Sequence, residues 1–106
     1  MLKVNSSEIY KFADLVDYQS GSVVSRGLVQ KVAGTITVFA FDEGQGLSEH
    51  KAPFDALVYI LDGAAQVMIS GKIFELTAGE MIILPVDEVH ALKALERFKM
   101  ALIMIR

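Results

Sequence analysis

From Val23 onward, apolar and polar positions alternate in short stretches separated by turn residues. Within 35–41, Ile36, Val38 and Ala40 face one way and Thr35 and Thr37 the other. That period of two puts successive side chains on opposite faces of a sheet. Ala65, Val67 and Ile69 repeat it. Further strands are predicted over 23–32, 57–61, 72–76, 81–84, 89–94 and 97–105. Asp62-Gly63 and Ser70-Gly71 read as hairpin turns, where glycine supplies a positive φ, and Pro85 ends the strand that begins at Met81. About eight or nine short strands, without the long amphipathic helices of an α/β chain, predict an all-β antiparallel sandwich or barrel.

The first 22 residues follow another pattern. Ile9, Phe12, Leu15 and Val16 fall on one side at helical spacing, and Glu8, Lys11, Asp14 and Asp17 on the other. With Ser7 as cap, this predicts a short helical segment before a turn at 19–22. The expected organisation is one domain over 1–106, with an N-terminal segment 1–22 and a barrel 23–106.

Two runs are apolar on both faces, 58–61 and 102–105. On the last strand, Met100, Leu102 and Met104 share one face while Ala101, Ile103 and Ile105 share the other. One face fills the interior; the other calls for a second sheet or subunit. Mean hydropathy is high for so short a chain. A homodimer is therefore expected.

The 106 residues include 10 basic and 13 acidic ones, a net charge of −3. That balance argues against nucleic acid or an anionic membrane surface as partner. No cysteine is present, which excludes disulfides, thiolate metal sites and cysteine nucleophiles. The stretch from Met1 to Glu8 lacks the basic and apolar regions of a signal peptide, so a cytoplasmic protein is expected.

The candidate chemistry lies between Gly44 and His90. His50 follows Gly44 after five intervening residues, and Gly63 closes the segment; Gly79, Pro85 and His90 then repeat such a spacing downstream. This pair of segments resembles the two motifs of the cupin superfamily, over a stretch from Thr35 to the C-terminus. The resemblance implies a jelly-roll β-barrel, commonly dimeric. In metal-dependent cupins, three His and one Glu converge inside the barrel on a divalent metal. Here the matching positions are His50, Ala52, Ala56 and His90. Two of the four ligands are replaced by alanine. A shifted register, with Ser48, His50 and Asp55, restores a carboxylate but loses the spacing to Gly44 and Gly63.

Two readings follow. In the first, the protein is a small-molecule-binding cupin barrel whose metal site is largely lost. His50 and His90 then offer hydrogen bonds, Ala52 and Ala56 leave an open apolar floor, and Phe54 supplies a wall or lid. In the alternative, it is a metal-dependent cupin enzyme of dioxygenase, isomerase or decarboxylase type. His50 and His90 then hold Zn, Fe, Mn or Ni as a partial set, completed by Glu49, Asp55, water or a bound acid. Glu49 belongs on the opposite face of its strand from His50.

Overall fold

The structure, a computed structural model, describes residues 4–106; Met1, Leu2 and Lys3 of the N-terminal stretch lie outside the described residues. Seven strands form one antiparallel sheet: β1 (Val23–Lys31), β2 (Gly34–Phe41), β3 (Gly46–His50), β4 (Asp55–Ile69), β5 (Lys72–Thr77), β6 (Met81–Leu84) and β7 (His90–Ile105). The backbone path is β1-β2-β7-β4-β5, with β3 added to β7 and β6 added to β4.

The two long strands make this sheet a jelly-roll barrel. β4 and β7 pair along nearly their whole length, with register shifts between Ile60 and Asp62 and between Gly63 and Ala65. Such bulges bend a strand and increase its twist. On one side of the bend, β7 pairs with β2 and β4 with β6; on the other, β7 pairs with β3 and β4 with β5. The two halves face each other across a core containing Val58, Ile60, Phe41, Phe98 and Met100 from one half and Ala65, Val67, Leu76 and Leu92 from the other. Leu102 and Met104 pack on the same core, as the parity of the last strand predicts.

Two sequence expectations are corrected here. Asp62-Gly63 is no hairpin turn but the bulge inside the continuous strand β4. Gly63 has φ +78°, and a side-chain carbon there would strike the carbonyl oxygen of Arg97 on β7. Likewise the stretches 89–94 and 97–105 merge into one strand, β7.

The N-terminal helical segment shrinks to a single 3-10 turn, Phe12–Leu15, with no side-chain cap. Ser7 sits in a turn at φ 64°, and Ile9 is fully exposed. The backbone is extended again at Val16, so the sequence neighbours Leu15 and Val16 can both pack on the outer side of the sheet, against Val38, Ala40 and Ala101. Among the described residues, no helix is long and apolar enough to cross a membrane.

Candidate ligand pocket

β3 and β7 bring the two histidines together. His50 ends β3, His90 begins β7, and they are direct cross-strand partners. Their rings meet edge to face with centroids 4.2 Å apart, and the two Nε2 atoms stand 3.0 Å from each other. His90 is almost fully buried, at 3% exposure, whereas His50 is open to solvent at the rim.

Each ring is also tied to the backbone. Nδ1 of His50 lies 2.7 Å from the carbonyl oxygen of Ser48, and Nδ1 of His90 lies 3.2 Å from that of Glu88. A carbonyl oxygen only accepts, so both Nδ1 atoms donate. The Nε2 to Nε2 contact needs one further N–H. All three bonds form together only when the pair holds three N–H protons, one more than two neutral rings carry. A fourth would set two positive charges side by side. Burial and the neighbouring His50 charge both push His90 below the ordinary histidine value, opposing that second charge.

Behind the pair lies a cavity of about 320 Å³ within the barrel. Ala52, Phe54 and Ala56 line it, together with Leu47, Leu84, Leu92 and the barrel-facing Met100, Leu102 and Met104. The segment 50–54 forms the mouth. It is held against the β6–β7 connection by the Asp87 N–H donating to the Ala52 carbonyl at 2.9 Å. Among the described residues, the only polar or charged side chains lining the cavity are those of His50, Lys51 and His90. Lys51 was not among the residues singled out from sequence, since a lone exposed lysine carries no periodic or motif signal.

Neither proposed replacement carboxylate is part of this lining. Asp55 instead accepts the Val86 N–H at 3.0 Å, and Glu49 does not line the cavity. Among the described residues, no three His, Cys, Asp or Glu side chains gather where they could hold a metal ion.

A wider cleft of about 420 Å³ lies outside the barrel, beside the N-terminal segment. Two of its polar side chains, Arg26 and Tyr18, are already engaged. Arg26 donates to the Leu15 carbonyl at 3.1 Å, and Tyr18 donates to Asp62 beneath the Arg97 guanidinium. Burial and that bond push the Tyr18 phenol up.

A jelly-roll barrel with a pocket framed by these two motif segments defines a cupin-type domain. Residues 33–104 match the model of the AraC-like ligand-binding domain family. The chain belongs to that family, within the cupin superfamily. Solved structures agree. A conserved protein of unknown function from Streptococcus pyogenes is 32% identical over 99% of this chain and 92% of its own, with TM-score 0.93. A cupin 2 conserved barrel protein from Leptotrichia buccalis is 41% identical, with TM-score 0.89. This chain covers 92% of its own length there but only 47% of that relative. A cupin superfamily protein from Desulfitobacterium hafniense is 26% identical over 98% of this chain and 95% of its own, with TM-score 0.91. No curated protein matches the chain.

Proposed function

We propose that this protein is a cupin barrel that binds a small molecule in the cavity behind His50 and His90, its metal site having been lost. The observation that carries this reading is the cavity itself. At about 320 Å³ it lies within the range of small-ligand sites, and a few polar groups stand at one end of otherwise apolar walls. The AraC-like ligand-binding description of its family supports the same reading.

The donor set does not fit a divalent metal. Catalytic sites keep three protein ligands, and only two imidazoles converge here, already bonded to each other. Ala52 and Ala56 present methyl groups at the other two motif positions.

The protein is also proposed to act as a homodimer. The register aligns one apolar residue per strand along the outer face: Val29, Ile36, Ile103, Leu57 and Ile83. Five strands at about 4.8 Å spacing make this an uninterrupted apolar band about 20 Å long. A second copy, presenting the same band about a two-fold axis, is its natural cover.

Native mass spectrometry and elemental analysis of protein purified without chelator test the ligand reading. The expected result is a retained or exchangeable small molecule, lost when Ala56→Leu fills the cavity, with no stoichiometric metal. Stoichiometric zinc, iron, manganese or nickel that disappears in His50→Gln would overturn it.

A further inference from the structure

The pocket's chemistry is one-sided. The chain has 13 acidic residues against 10 basic ones, yet among the described residues not one acidic side chain lines this cavity. Its three polar or charged side chains, His50, Lys51 and His90, are all nitrogen donors. Arg106 adds a guanidinium near the mouth, 5.1 Å from the centre of the Phe54 ring. The nearby carboxylate of Asp55 is taken up by the Val86 N–H.

Both Nδ1 atoms of the histidine pair are committed to backbone carbonyls and the two Nε2 atoms to each other, so a ligand bonds to either ring only by opening the Nε2 contact. An anionic oxygen at the mouth meets the Lys51 ammonium, with the Arg106 guanidinium close by. Charge-assisted bonds of this kind are roughly twice as strong as neutral ones. Deeper in, Leu84, Leu92 and Met100 offer apolar surface only.

We infer that the ligand is an apolar monocarboxylic acid, its tail within the barrel and its carboxylate at the mouth between His50, His90 and Lys51. This inference rests on the reading of the barrel interior as a ligand pocket. A dicarboxylate or a sugar would leave polar groups buried against leucine and methionine, at the cost of unmade hydrogen bonds.

Calorimetric titration at neutral pH with octanoate and phenylacetate, each beside its matched amide, tests it. The acids are expected to bind at least tenfold more tightly than the amides. In His50→Gln and in Lys51→Met, which change exposed residues, that preference for acid over amide is expected to shrink. Amides binding as tightly as the acids, with both displaced by Ala56→Leu, would overturn acid selection and leave the pocket reading standing. No binding by any of the four probes would also overturn it. If native mass spectrometry then finds no other small molecule, the pocket reading falls as well.

Discussion

Phe41 and Phe98 stack with centroids 4.4 Å apart and planes 6° from parallel, as cross-strand partners where β2 meets β7. Both are completely buried. The pair lies beside the bend at which β4 and β7 pass from one half of the barrel to the other. Phe98→Ala removes a large ring from a site walled by two strands that cannot collapse into the gap. Such changes cost about 3–5 kcal/mol. Urea denaturation that put the loss below about 1 kcal/mol would show that the ring does not anchor the bend.

Gly63 makes the same bend testable through the backbone. Its φ of +78° is strained for any side chain, and its missing Cβ makes room for the Arg97 carbonyl. Gly71 has a similar φ of +82°, but open space surrounds it. Gly71→Ala should therefore cost only the conformational strain, about 1–2 kcal/mol. Gly63→Ala should cost clearly more, because β7 must also move away. Equal losses for the two variants in thermal unfolding would argue against a tight β4–β7 approach.

These glycines also explain where the sequence was readable. Alternation in 35–41 and the Ser70-Gly71 turn each correspond to an observed element, because each signal is local. Gly63 carries the same local signature as Gly71. What separates a bulge from a hairpin is pairing with residues more than thirty positions away in β7, which no window around Asp62 contains. Strand β3 was legible only around Glu49 and His50 through the motif, and its bounds were not: Ser48, Glu49 and His50 are all exposed, so no apolar alternation marks it. Helical spacing over 9–16 failed because so short a helix is marginal in water without packing, and the sheet offers Leu15 and Val16 a better surface. At the site, motif spacing singled out His50, His90, Ala52 and Ala56, with Phe54 in the loop beside them, and all five line one cavity. The direct Nε2 contact between the rings depends on how two backbone carbonyls hold their Nδ1 atoms and was invisible in the residue types.

Acid should weaken the fold through His90. Its value is lowered in the native state, first by burial and then by the charge of His50. The unfolded chain binds this proton more readily, so stability rises with pH wherever the two states differ. The contribution is fully present above the unfolded histidine value of about 6.5 and is lost as pH falls below it. Urea midpoints should drop between pH 7.5 and pH 5, and His90→Gln should flatten that slope. An unchanged slope in His90→Gln would assign the acid sensitivity to other groups.

The outer band of Val29, Ile36, Ile103, Leu57 and Ile83 makes the last prediction. Ile83 is 53% exposed and Val29 41%, while the barrel-facing neighbours of Ile83, Ile82 and Leu84, pack into the core. A charge at position 83 therefore falls outside the core and should leave the folded barrel intact. Within a face-to-face dimer it meets its own copy across the two-fold axis or lies against apolar strands, and either position is unfavourable. A stable dimer buries about 800 Å² on each partner, which the band must reach with the flanking Tyr59, Met81 and Ile105. Light scattering of the unaltered protein should give twice the 11.6 kDa chain mass, and Ile83→Glu should give the single-chain mass with an unchanged circular-dichroism spectrum. An unaltered protein that is monomeric at micromolar concentration, or an Ile83→Glu variant that stays dimeric, removes this face as the contact.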